Sequence, residues 1–526
     1  MSVFNWIMSR IESTSVPSIE RRSWDRAIII RVASFVLVAT LAVGLRVWGL
    51  NQTGYNSDEA VYAGQAAAIA QVPILKDFFP IFRAHPLLLQ FLLALVFHFG
   101  FSDISGRLVV VIIGVLTVYV VYLLGSYLYG KKVGALAALF LAIMPYHVIV
   151  TRQVLLDGPL VLCSTLTLYF LALYAATARP SWLHATGIGM GLTFLAKETG
   201  IVLLGAIYAF LALSNEIRIR IMDLVISIAL MVLLMAPFPL SILLAGGKKS
   251  GQNYLVWQLF RRPNHPWDFY FTTVPLSIGI LIVVMALLGL WLFRREWSWR
   301  ERLLAWWIIV PVAFFELWPT KGFQYLLPVA PAFAILASRT LILWSPIKKI
   351  VLWGRDLNIS AIRILASGIV AVSVLASSVQ IILPATSGTF TAGTGGVPGG
   401  REAGDWIKAN VPTGATFLTI GPSMANLVEF YGHRKAYGLS VSANPLHRNP
   451  SYQPIENPDL QIRNGDLQYI VWDSYSADRS VFFSKGILRF TTEFHGRVVH
   501  TESVTVKLPD GTTSAKPVII IYEVRP

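Results

Sequence analysis

The chain has 526 residues, of which 55% are apolar or aromatic and 13% are charged, with a net charge of +15. Soluble proteins carry roughly 25% charged residues, so a string of water-soluble domains is excluded for most of this chain, and a mean hydropathy of +0.62 agrees. The basic balance fits membrane topology better than nucleic-acid binding, because Lys and Arg collect in cytoplasmic loops and no base-reading motif accompanies them.

In chain order, residues 1–26 are polar and Arg-containing. A long apolar run follows without an A-x-A-like site, which predicts an uncleaved first span rather than a signal peptide. A span needs about 20 apolar residues. Eleven segments qualify or come near: 27–50, 107–129, 134–152, 157–177, 184–196, 199–213, 222–244, 272–293, 303–318, 323–343 and 360–383. Lys197-Glu198 interrupts the fifth and sixth. The glycines at 187, 189 and 191 lie in a span and read as close helix packing, not as a phosphate loop. The lone Cys163 excludes an intrachain disulfide or a cysteine metal cluster.

Residues 86–99 are apolar but only 14 long. As a helix they reach about 21 Å, short of the roughly 30 Å hydrocarbon core, so they are predicted to lie at the interface. With the N-terminus inside, Lys131-Lys132, Arg218/Arg220, the 294–302 cluster and Lys348/Lys349 then fall on the cytoplasmic side, as the positive-inside rule requires. Residues 385–400 are rich in Gly, Thr and Pro and read as a linker. Beyond them, β-like runs at Ala415–Ile420, Tyr469–Trp472 and Val518–Tyr522 alternate with helical pieces such as Glu402–Asn410. That predicts a small extracytoplasmic α/β domain over 401–526, about 125 residues long. The expected architecture is a polytopic α-helical membrane protein of about 11 spans, with the membrane domain at 27–384 and interfacial helices in the first outer loop.

Ionisable groups at the outer face that do not serve topology mark candidate functional positions. Asp58 and Glu59 open a helix in the first outer loop, where the helix dipole favours negative charge. Asp157, followed by Pro159, opens a later span. Helix capping is the alternative reading for each. Two acids on one side of the membrane, beside Arg152, Arg261 and Lys321, fit catalysis better than two independent caps.

The Asp58-Glu59 loop, Arg83-Ala84-His85-Pro86-Leu87, Arg152 with Leu156-Asp157-Gly158-Pro159-Leu160, Gly191 through Lys197-Glu198, Asn264-His265-Pro266-Trp267 and Lys321 through Tyr325 come in one order. In that order they resemble GT-C glycosyltransferases. The nearest group is family 39, the protein O-mannosyltransferases and the lipid A aminoarabinose transferase. His85-Pro86-Leu87 departs from the His-Pro-Pro or Lys-Pro-Pro of many members. The resemblance implies a sugar donor carried on a polyprenyl phosphate and transfer outside the cytoplasm to a glycan, lipid or protein acceptor. It needs no nucleotide-sugar fold and no nucleic acid.

The chemistry expected from this is a single inverting displacement. Asp58 takes the proton of the acceptor hydroxyl, and Glu59 and Asp157 support it. Arg152, Lys321 and Arg261 are the candidates to stabilise the departing lipid phosphate. His85, His265, Tyr325 and Tyr62 are candidate pocket residues. No cofactor is certain. A divalent metal on Asp157 and His265 is the candidate, since both residue types bind Zn²⁺ or Mn²⁺. Competing readings are a lipid-sugar flippase or transporter without transferase chemistry, and a membrane-anchored binding protein whose working part is 401–526.

Overall fold

The computed structural model describes residues 26–79, 85–244, 261, 263–344, 350–352, 355–357, 359–383, 397–449, 452–507 and 511–526. The N-terminal segment, most of the linker, Arg83, Arg262, Lys348 and Lys349 lie outside the described residues.

The chain is built mainly of helices. The first among the described residues is α1 (Arg26–Val47), followed by α2 (Ser57–Ile69) and α3 (Leu88–Phe97). Next come α4 (Asp103–Tyr129), α5 (Lys131–Ile143), α6 (Pro145–Val150), α7 (Asp157–Thr177) and α8 (Pro180–Ala196). A 3₁₀ turn, Glu198–Val202, leads into α9 (Leu203–Ala212), then α10 (Ile221–Met235) and α11 (Pro237–Leu244). The bundle closes with α12 (Phe269–Ile278), α13 (Ile280–Leu292), α14 (Trp299–Leu317), α15 (Ala330–Leu343) and α16 (Ile359–Ile382).

Five helices among the described residues are long and apolar enough to cross a bilayer, or six if the bent pair α12–α13 counts as one span. Several of the other apolar segments form shorter helices. The 134–152 segment divides at Met144 into α5 and α6, and α8 has 17 residues. Hydropathy counts apolar residues but does not see these breaks. At ten residues, α3 reaches about 15 Å and is too short to cross, as expected for an interfacial helix.

Small residues set how closely the helices approach. A Cβ at Gly187 would lie 2.2 Å from the Ser227 carbonyl oxygen, and one at Gly191 would lie 2.9 Å from Leu234 Cβ. The glycine run therefore packs α8 against α10. The 99° bend between α12 and α13 falls at Gly279, whose φ of +100° disfavours any residue with a side chain.

Two ends of the bundle can be told apart. At one, Tyr129 Oη donates to Glu301 (2.9 Å), Arg339 pairs with Glu301 (3.0 Å), and Arg302 pairs with Glu216. This end carries the basic loops. At the other end gather the loops around residues 50–57, 151–157, 197–202 and 317–323, and the C-terminal unit sits on them.

That unit contains α17 (Gly400–Asn410), β1 (Thr416–Thr419), α18 (Pro422–Phe430), β2 (Lys435–Gly438), β3 (Tyr469–Asp473), α19 (Ser474–Arg479), α20 (Val481–Glu493), β4 (Arg497–Lys507) and β5 (Thr513–Glu523). The sheet order is β2-β1-β3-β5-β4. Strands β1, β2 and β3 run parallel, while β5 is antiparallel to β3 and β4. A small C-terminal sheet is what the β-like runs of the sequence lead one to expect.

The unit does not keep its core to itself. Tyr55, Ala60, Ala63, Leu89 and Leu93 of the first loop share one buried cluster with Phe417, Met424 and Leu427. The Tyr55 N–H donates to Tyr431 Oη (2.7 Å), which donates to Asp103 (2.5 Å), and Asn426 Nδ2 donates to Ser57 Oγ (2.9 Å).

Asp473 ends β3 fully buried. Its Oδ1 accepts the Ser476 N–H (2.7 Å), capping α19, while Oδ2 has no partner among the described residues. Burial pushes this carboxyl up to about 6 from 3.8. A raised acid favours the folded state when protonated, so its contribution is present below 3.8 and lost as pH rises through 6. Asp473→Asn keeps the cap acceptor and removes the charge. We expect it to raise the thermal midpoint of the purified full chain at pH 8, by up to about 3 kcal/mol in stability, and to leave it unchanged near pH 4. Equal midpoints at pH 8 would contradict this.

Candidate active site

The first loop is shaped by a buried ion pair. Glu59 and Arg107 are 1% and 4% exposed. Arg107 Nε and Nη2 donate to the two carboxylate oxygens of Glu59 (2.9 and 2.8 Å). Nη1 donates to the carbonyls of Leu50 and Thr53 (both 2.7 Å), and Nη2 also to Gly54 (2.9 Å). All five guanidinium N–H groups are thereby used. Glu59 also accepts from the Val154 N–H (2.9 Å) and closes a capping box with Asn56 (3.0 Å). Asn56 Oδ1 caps α2 by accepting from the Asp58 and Glu59 N–H groups, and its Nδ2 donates to Gln153 (2.8 Å). Glu59 is an anchor here. The helix-start reading accounts for it, and its neighbour is the acid left facing outward.

Asp58 is exposed, but protein crowds the recess that it faces. That loss of bulk water pushes its carboxyl above the ordinary carboxylate range, while the charges of Lys197 and His85 pull the other way. Asp58 lies within electrostatic reach of Lys197, His85 and Arg261, and Asp157 within reach of Lys197, Glu198 and Asp58. The two acids, far apart in sequence, meet at one end of the bundle.

Asp157 differs from Asp58. It is 2% exposed, and Lys197 Nζ donates to both of its oxygens at 2.9 Å. Lys197 Nζ also sits 4.7 Å from the centroid of the Tyr325 ring. Glu198 pairs with His85 Nδ1 (2.8 Å), whose ring meets Tyr62 edge-on at 6.1 Å. His85, Tyr62 and Tyr325 therefore stand beside the acid pair. Lys197 and Glu198 are site-forming residues that the sequence reading counted among the ordered motifs and as a break in a hydrophobic run, without giving either a role in the site. The signal was available: an adjacent Lys-Glu between two apolar segments has to be explained by partners.

The three candidate phosphate-binding cations separate. Arg152 donates to the carbonyls of Leu45 and Trp48 (both 2.6 Å) at the end of α1. Lys321 donates to the carbonyls of Trp267 (3.0 Å) and Glu316 (2.9 Å) and pairs with the Glu316 carboxylate (2.8 Å). Both act as struts between loops. Arg261 is the one of the three whose charge reaches Asp58 and Tyr325.

His265 stacks on Phe269 at 4.0 Å, with burial and then the Arg479 and Lys321 charges holding its ring below the usual imidazole range. A metal on Asp157 and His265 does not fit these residues. Lys197 already occupies both Asp157 oxygens, and no group of three or more His, Cys, Asp or Glu side chains comes together among the described residues.

The C-terminal unit reaches the same recess. Helix α19 follows the carboxyl end of β3, and its Tyr475 lies within reach of the Asp58 charge. The Arg479 guanidinium sits 4.5 Å from the Tyr475 ring centroid. Neither residue carries a local sequence signature; only the docking of the sheet onto the first loop brings them in.

A family model described as dolichyl-phosphate-mannose-protein mannosyltransferase matches residues 84–242, a stretch that holds His85, Asp157, Lys197 and Glu198. Among solved structures, apo ArnT from Cupriavidus metallidurans superposes with a TM-score of 0.69 at 16% identity, covering 94% of this chain and 98% of that one. ArnT from the same organism bound to undecaprenyl phosphate gives 0.65 at 16% identity over the same shares. The Archaeoglobus fulgidus oligosaccharyltransferase tethered with an acceptor peptide gives 0.56 at 16% identity, covering 93% of this chain and 74% of that one. No curated protein sequence matches the chain. The fold is thus that of the GT-C membrane glycosyltransferases, and the resemblance read from the motifs is borne out.

The Glu59–Arg107 pair makes a stability prediction. Removing one partner strands a buried charge, which costs about 3–5 kcal/mol, whereas replacing both with apolar groups is often tolerated. Glu59→Leu and Arg107→Met should each lower the thermal midpoint sharply, and the double variant should recover part of the loss. Additive losses would show that the two groups act independently.

Proposed function

We propose that the protein transfers a sugar from a polyprenyl-phosphate donor to an acceptor hydroxyl at the extracytoplasmic face of the cell membrane. The N-terminus lies on the cytoplasmic side and the C-terminal unit outside. One observation carries this reading. Two acids from distant segments lie within electrostatic reach of each other at one end of the bundle, one exposed and the other paired with a lysine.

The fold supports it. Proteins with this fold have been solved with undecaprenyl phosphate and with a dolichol-phosphate, and a lipid-phosphate donor suits a recess at the end of a membrane bundle. In the reaction, the acceptor oxygen forms its bond to the anomeric carbon as Asp58 takes the hydroxyl proton. The bond from that carbon to the phosphate oxygen breaks, and its electron pair leaves with the polyprenyl phosphate. Configuration inverts, because bond making and bond breaking lie on opposite faces. Arg261 meets the developing phosphate charge, where preorganised cations do most in a water-poor site. Lys197 and Asp157 form a neutral pair that fixes the floor of the recess. Tyr475 and Arg479 wall its aqueous side, where an acceptor enters.

A flippase reading is less well supported, because the candidate acids and their charged neighbours gather at one end rather than near the middle of the bundle. The test is purified protein in vesicles with polyprenyl-phosphate sugars and envelope extract, followed by mass spectrometry. Sugar transfer with release of polyprenyl phosphate is expected; translocation without product would overturn the proposal.

Asp58→Asn should lower turnover at least about 100-fold, within the range of a general base, without lowering the thermal midpoint. In the wild type, activity should fall on acidification at a pH above the ordinary Asp range, since the base must be ionised and its carboxyl is raised. Near-normal turnover by the variant would remove Asp58 from the base role.

A further inference from the structure

We infer that helix α20 of the C-terminal unit rests on the bilayer surface and holds the unit against the membrane beside the site. The helix is two-faced. Ser484, Ile487 and Phe490 turn inward, and Ile487 and Phe490 share a buried cluster with Leu418 and Ile470 of the sheet. The outward face carries Val481, Phe482, Lys485, Leu488 and Arg489, all exposed. Phe482 is 79% exposed, Val481 59% and Leu488 41%. No acid interrupts this face until Glu493, which pairs with Arg463 (3.2 Å).

A helix face that mixes bulky apolar side chains with Lys and Arg binds a lipid surface: the apolar groups enter the headgroup boundary and the cations meet anionic lipid. A purely aqueous face gains nothing from an exposed phenylalanine at its leading turn.

Position chooses the lipid over a soluble partner. Arg479, two residues before α20, lies within reach of His265, which stacks on Phe269, the first residue of α12. Around that helix start, Trp267 and Phe271 are 76% and 58% exposed, as expected of aromatic anchors at a membrane edge. The leading end of α20 therefore lies within electrostatic reach of the segment that opens α12. The basic residues of α20 would complement an anionic leaflet.

The experiment uses the full chain with Cys163→Ala, which removes its one cysteine. A nitroxide is attached at Phe482→Cys or, separately, Leu488→Cys, with Leu460→Cys (Leu460 is 53% exposed) as a control on the short helix Pro458–Arg463. The protein is placed in vesicles of phosphatidylethanolamine and phosphatidylglycerol. Power saturation then compares collisions with oxygen, which concentrates in lipid, and with a water-soluble nickel chelate. At 482 and 488, oxygen accessibility should exceed that of the chelate several-fold, with the reverse at 460. Chelate accessibility at 482 and 488 equal to that at 460 would overturn the inference. Exclusion of both reagents would also overturn it, because it would mean that protein, not lipid, covers the face. None of these readings depends on the transferase activity.

Discussion

Arg107 lies at the top of α4, and its planar guanidinium holds together a loop with no regular structure of its own. Three of its bonds go to carbonyls of residues 50–54, and the others go to Glu59. Those carbonyls have no helix or sheet partners, and leaving such groups buried and unpaired is costly. The arginine satisfies them and, through Glu59, fixes the start of α2. Asp58 is one residue away on the same first turn. Its direction follows from this anchoring and not from any contact of its own.

A second buried pair joins Lys197 to Asp157. Two ion pairs within a low-dielectric bundle need close geometry to offset the loss of hydration. The geometry here is close: both Asp157 oxygens accept from one ammonium. The result is an asymmetric pair of acids. One is neutralised and buried; the other is open to the recess and harder to ionise than usual.

The C-terminal unit belongs to the same construction. Its core is continuous with the first loop, Tyr431 bonds to both Tyr55 and Asp103, and α19 brings Tyr475 toward Asp58. A unit joined to the loop by both apolar contact and hydrogen bonds shifts with that loop, so residues far from the bundle in sequence can tune the recess.

Composition and hydropathy alone determined that the chain is a helical membrane protein with a small α/β unit at its end. Burial in lipid leaves a one-dimensional trace, a run of apolar residues, and the short 86–99 run was readable as too short to cross. The ordered motifs likewise marked Asp58, Asp157, His85 and Tyr325. Only the tertiary structure decided which charges face the recess. Arg152, Lys321 and Glu59 look in sequence like Arg261 and Asp58, but their partners are backbone carbonyls and counter-ions supplied by segments many residues away. Tyr475 and Arg479 enter the site for the same reason. A charged side chain takes its role from what it is packed against, and contacts between distant segments leave no mark on local sequence.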